Sequence, residues 1–227
     1  MKLIFLVFLL VLPSRDVDIV QLELNSPHIS IFKDYENGNF VQKVNSRGKS
    51  VHITLENSDF LNLNLNHRVI IDNTYISGIK KDVKNLVSKL HENNITLKTY
   101  LSNISFFLKD NIKYWENSPF KKADEVIIFK RANCIGFSSL VRELLNSAGI
   151  RNRYIKGFYL DPVDKGIFNP IPHKWLELYL PSGASFFYDP QYQGFTANYI
   201  VLDNDIDFKT IRKFKVKIVS KRRKLIN

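Results

Sequence analysis

The sequence predicts an α+β fold, in which a cysteine-bearing helix packs on an antiparallel sheet and a small β-layer precedes both. Three observations carry this reading. After Cys134, the residues Phe137, Leu140, Val141, Leu144, Leu145 and Ala148 recur at the three-four spacing of one helix face. Residues 173–180 (HKWLELYL) alternate as a strand does; the turn Pro181-Ser182-Gly183-Ala184 follows, and residues 185–189 (SFFYD) return as a second strand. Residues 16–79 break into short β-branched and aromatic runs (IVQLEL, HISIF, NFVQKV, SVHITL, HRVIID) separated by turns such as Asn37-Gly38 and Arg47-Gly48.

The chain opens with one lysine and an unbroken apolar run, MKLIFLVFLLVL, closed by Pro13 and Ser14. The run has the length of a signal-peptide core and is too short for an ordinary membrane span. Residues 1–14 are therefore expected to be a signal peptide or an uncleaved anchor, with the protein exported to the periplasm or beyond. The alternative is a buried first strand in a cytoplasmic protein. Residues 15–79 form the β-layer; His28, His52 and His67 lie in it without metal-ligand spacing and read as structural or surface histidines.

Two helices are expected next. Residues 80–92 put Val83, Leu86, Val87 and Leu90 on one face, and residues 97–115 do the same with Tyr100, Leu101, Ile104, Phe107, Leu108, Ile112 and Trp115. Asn93-Asn94 separates them, Thr96 is an N-cap, and Asn117-Ser118-Pro119 ends the second. Trp115 is core in the plainest reading, with an oxyanion-holding indole N–H as its second possible role. Residues 123–129 (ADEVIIF) lead to the cysteine helix, which Asn133 caps and Gly149 stops. Residues 153–160 read as a strand, residues 161–172 as a loop rich in Pro, Gly and Asp, and residues 209–227 as a basic tail.

The 227 residues carry a formal net charge of +11, and much of the excess falls in that tail. A tail of this kind suits an anionic surface. Specific nucleic-acid binding is not expected, since none of the recognised motifs is present. A single cysteine excludes an internal disulfide and a multi-cysteine metal site. There is no calcium-loop pattern, and no cofactor is expected.

The candidate chemistry lies in Cys134, His173 and Asp189. Cys134 sits in the first turn of its helix, where free backbone N–H groups and the helix dipole favour a thiolate. The hairpin brings His173 and Asp189 to opposite ends of facing strands, so the carboxylate is within reach of the imidazole. Such a carboxylate orients the ring and stabilises the imidazolium, leaving the other ring nitrogen for the thiol proton.

These residues resemble the transglutaminase-like superfamily of cysteine enzymes, whose core is papain-like. Its three blocks correspond here to Asn133-Cys134 with the following helix and GIRNRYIKGFY, to His173-Lys174-Trp175, and to Tyr188-Asp189-Pro190. Two departures stand near the thiol: Ala132 replaces a common glycine, and Arg151 stands where a proline often follows Gly-Ile. The resemblance implies a catalytic domain over residues 80–208, with Cys134 as nucleophile, His173 as general base and acid and Asp189 as the orienting residue. It implies acyl chemistry on a protein or peptide amide through a thioester. Water would give hydrolysis, the expected outcome for a small domain lacking a calcium module. A lysine amine would give cross-linking, and a non-catalytic binding module that keeps the fold is a third reading.

Overall fold

A computed structural model describes residues 15–25, 29–47, 50–58, 63–91, 94–164, 167–192, 198–202 and 216–226. The chain starts with β1 (Arg15–Asn25), β2 (Tyr35–Glu36), β3 (Phe40–Arg47) and β4 (Ser50–Ser58). Helices α1 (Asn73–Gly78), α2 (Lys81–Leu90) and α3 (Leu97–Asn111) follow. Then β5 (Lys113–Tyr114), α4 (Ala123–Phe129) and β6 (Arg131–Ala132) lead into α5 (Cys134–Ser147). Strands β7 (Asn152–Asp164), β8 (Ile167–Tyr179), β9 (Ser185–Tyr188), β10 (Tyr199–Val201) and β11 (Val216–Ile226) close the order.

Among the described residues the main sheet runs β10-β7-β8-β11-β1-β4-β3-β2, with β9 also on β8. Every one of these pairings is antiparallel. Strand β8 is its pivot. One edge pairs with β7 along its length; the other meets β11 at Ile167 and Phe168 and β9 from Leu176 to Tyr179. His173 lies in the stretch between those two partners.

Alternation along β8 divides two cores. Leu176 and Leu178 face the helices, packing with Leu140, Val141, Leu144 and Leu145 of α5. Trp175 faces the other way, into a core shared with Phe187, Ile155 and Tyr199 and with Leu22, Phe40, Ile53 and Leu55 of the first strands. The N-terminal strands thus continue the sheet that holds β7, β8 and β9 and share its core. Two buried amides tie them to it. The Asn39 side chain donates to Phe187 O (3.2 Å) and accepts from Phe187 N (2.9 Å). Gln42 does the same to Val201, at 3.0 and 2.8 Å. Each amide side chain thereby stands in for a neighbouring strand where the ladder has none.

Several expectations are corrected. In HISIF, Ile29–Ile31 is a 3-10 turn, not a strand, and His28 lies outside the described residues. In HRVIID only Arg68 makes a bridge, to Thr96; Asp72 then caps α1, accepting from Tyr75 N at 3.0 Å. Helix α3 starts after Thr96, its predicted cap, yet ends at Asn111 and not 115, because Lys113 and Tyr114 leave to pair in parallel with Arg131 and Ala132.

The predicted loop 161–172 is mostly strand: β7 and β8 run on to Asp164 and from Ile167, with residues 165–166 outside the described set. Pro170 and Pro172 are tolerated because residues two apart aim their backbone nitrogens at the same edge. On β8 that edge is covered by neither β11 nor β9 at these positions. The basic tail is likewise a strand over Val216–Ile226, held by β1 from Arg15 to Leu24. Residues 209–215 and 1–14 lie outside the described residues, so the leader expectation does too.

Candidate active site

The start of α5 is built by Asn133. Its side-chain oxygen accepts from Ile135 N (3.1 Å) and Gly136 N (3.3 Å), filling two of the helix's orphan donors. Its amide donates to Glu116 O and Ser118 O, pinning the preceding loop. The Cys134 N–H carries no hydrogen bond among the described residues. Cys134 itself is half-buried and free.

The hairpin register of β8 and β9 pairs Leu176 with Tyr188, which sets Asp189 beside the uncovered stretch that holds His173. His173 and Asp189 are both buried, and Nε2 lies 2.6 Å from Oδ2. The second ring nitrogen is the one left for Cys134, which lies close enough to the imidazole to help raise the His173 pKa. The structure thus pairs His173 with Asp189 as the hairpin spacing predicts, and the packing of α5 on β8 adds Cys134 to them.

Asp189 has two further donors that sequence reasoning missed. Tyr199 Oη donates to Oδ2 at 2.6 Å, and Gln191 N to Oδ1 at 2.9 Å. Tyr199 is buried on β10, which reaches the site only because it pairs with β7 beside Gly157. Burial, reinforced by the Asp189 charge, raises the Tyr199 pKa well above that of an ordinary phenol, so it stays a proton donor. Tyr192 stacks on Tyr159 at 4.5 Å, and both rings lie within 6.2 Å of His173, walling the imidazole from water.

Trp115 is not among these contacts. The residue is 41% exposed, and its ring packs against Phe120 and the Arg131 guanidinium. The preceding residue does sense Cys134: burial and then the Cys134 charge raise the Tyr114 pKa. Its short β5–β6 pairing delivers it there, and no periodicity in the sequence marks it.

Burial alone would lower the His173 pKa; the Asp189 charge and hydrogen bond, helped by Cys134, outweigh it and push the value up to about 9. A cation is therefore held beside the thiol at neutral pH.

Residues 84–190 match the transglutaminase-like superfamily. This segment belongs to that superfamily. The match takes in Cys134, His173 and Asp189 and stops short of Tyr199. Transglutaminase-like character thus rests on the helices and hairpin, while the N-terminal strands and β11 lie outside the matched segment. No curated protein sequence matches the chain. Among solved structures, the chain is similar to a candidate cysteine protease from Cytophaga hutchinsonii (12% identity, 93% of this chain and 90% of that one, TM-score 0.49). It is also similar to the periplasmic domain of TgpA from Pseudomonas aeruginosa (10% identity, 79% and 88% covered, TM-score 0.41).

One consequence for this transglutaminase-like site is a pH-dependent stability. An unfolded histidine titrates near 6.5 and the folded His173 at about 9. Between those values the folded state binds the extra proton, so the contribution is complete below about 6.5 and is lost as pH rises through 9. In a Cys134→Ala background the thiol's own share of the upward shift is gone, so urea midpoints are expected to fall over a narrower window that starts near 6.5 and ends below 9, by less than roughly 3 kcal/mol of stability. Adding His173→Gln should flatten that slope; an unchanged slope would show that another group is responsible.

Proposed function

We propose that the protein is a cysteine amidase or peptidase acting on a peptide amide through a thioester intermediate. The observation that carries the reading is the buried His173–Asp189 contact at 2.6 Å, set against a thiol in the first turn of α5. In this reading the Cys134 thiolate attacks the carbonyl carbon. The Cys134 N–H, with the Tyr114 phenol close enough to feel the Cys134 charge, holds the developing oxyanion. The imidazolium of His173 gives its proton to the leaving amine, and the ring then takes a proton from water as water attacks the thioester. Asp189, held by Tyr199 and the Gln191 N–H, keeps the ring oriented through both steps.

The test is alkylation of Cys134 by iodoacetamide across pH, in the wild type and in His173→Ala. The wild type is expected to react at pH 6.5 at least tenfold faster than the variant, because the adjacent imidazolium favours the thiolate. Equal rates in two folded proteins would sink the reading. Exported localisation belongs to the same proposal: the Tyr159 and Tyr192 rings shield the imidazole partner of a reactive thiol that must survive an oxidising compartment.

A further inference from the structure

Beside Cys134 the protein holds a cluster of cations that the chemistry above does not use. Along α5, positions 134, 138 and 142 share one face. Ser138 anchors that face on β8, donating to Lys174 O at 2.9 Å. Lys174 follows His173 in the strand and so points to the sheet face on which α5 lies. There Lys174 Nζ sits 3.6 Å from the centroid of the Tyr154 ring, and Arg142 Cζ sits 4.5 Å from the same centroid. Lys156 faces Lys174 directly across the β7–β8 ladder.

Like charges set opposite each other on a sheet are destabilising. Among the described residues no carboxylate comes within 4 Å of Lys174 or Arg142 to relieve them. Arg142 Nε is buried without a hydrogen-bond partner. Burial is the main influence lowering the Lys174 pKa, Lys156 adds to it, and the Cys134 charge opposes it, which puts this amine in the field of the nucleophile. An incoming anion would supply what the cluster lacks: a counter-charge for both cations and an acceptor for the orphaned guanidinium N–H.

We propose that Lys174 and Arg142, converging on Tyr154, form a subsite for an acidic side chain of the substrate, about two to four residues from the attacked amide. The inference rests on Cys134 being the nucleophile of a peptide amide. The separation follows from geometry: four to eight residues of helix cover about 6–12 Å, and an extended peptide advances about 3.3 Å per residue.

The probe is a fluorescein-labelled Ala-Glu-Ala-Glu-Ala amide, compared with its Gln counterpart by anisotropy on the Cys134→Ala protein, which cannot turn it over. The Glu peptide is expected to bind about tenfold tighter, and the advantage to shrink with added salt. Lys174→Gln and Arg142→Gln should each remove most of that advantage, Lys174→Arg should keep it, and Lys89→Gln, on the exposed face of α2, should leave it unchanged. Equal affinity for the two peptides, or a preference that survives Lys174→Gln with Arg142→Gln, overturns the proposal. So does a preference that Lys89→Gln reduces as much, since that would be general attraction to a protein of charge +11. The two readings fail separately. If alkylation depends on His173 but the Glu preference is absent, only the subsite falls. If the preference is present and alkylation ignores His173, the subsite stands as an anion site and the nucleophile falls.

Discussion

Asp189→Asn is expected to cut turnover of a peptide amide by on the order of a thousandfold or more, because the buried carboxylate accepts on every side. Oδ2 takes His173 Nε2 and Tyr199 Oη, both at 2.6 Å, and Oδ1 takes Gln191 N. An asparagine has one acceptor atom for these three donors. With its oxygen towards His173 and Tyr199, its NH2 meets the Gln191 N–H, donor against donor. With the amide flipped, its NH2 meets Nε2, which must then carry no proton. The ring proton moves to the nitrogen beside Cys134, and the thiol loses its acceptor. Either arrangement leaves a buried polar group unsatisfied, at about 1–3 kcal/mol of stability. Removing the charge also removes what holds the His173 pKa up, so burial should drive it below the ordinary histidine range. An imidazole NMR titration would show that drop. A variant that keeps its turnover and a His173 pKa near 9 would mean that Asp189 does not orient the ring.

Gly157→Ala is expected to have the largest effect on stability, and it acts through backbone and not chemistry. A Cβ at position 157 would lie 2.0 Å from Ile200 O and 2.6 Å from Trp175 Cη2. The carbonyl is backbone, so β10 itself must move off β7. Overpacking of this severity costs about 3 kcal/mol, which for a chain of this size is a fall in Tm of about 10 °C. Moving β10 also withdraws Tyr199 from Asp189, since Tyr199 and Ile200 are adjacent residues of that strand. Tyr199→Phe separates the two consequences: it should lose reactivity at Cys134 with a much smaller shift in Tm. If Gly157→Ala melts within about 2 °C of the wild type, the close approach of β10 is not what that glycine permits.

Much of the site was legible in the chain because its signals are local. A helix face is read from three-four spacing, and Asn133 caps by reaching donors two and three residues ahead. A tight turn fixes which residues of a hairpin face each other, so His173 and Asp189 could be paired from their distance to Ser182 and Gly183. Cys134, by contrast, joins them through the packing of α5 on β8, which the ordered blocks of the superfamily suggested and spacing alone did not.

What tertiary structure alone decided are partnerships between residues far apart in sequence. Asn39 bonds Phe187 and Gln42 bonds Val201 across 148 and 159 residues, and no pattern in either neighbourhood announces it. Tyr199 reaches Asp189 from a three-residue strand too short to show a period. The proline-rich stretch read as a loop became strand because β8 has an uncovered edge there, a property of its neighbours and not of its own residues. The basic tail became β11 because β1 offered it an edge to pair with. Periodicity and caps act over one or two turns of chain and are written in it. Edge pairing, buried carboxylate partners and the cations around Tyr154 depend on which surfaces meet, and only the folded molecule determines that.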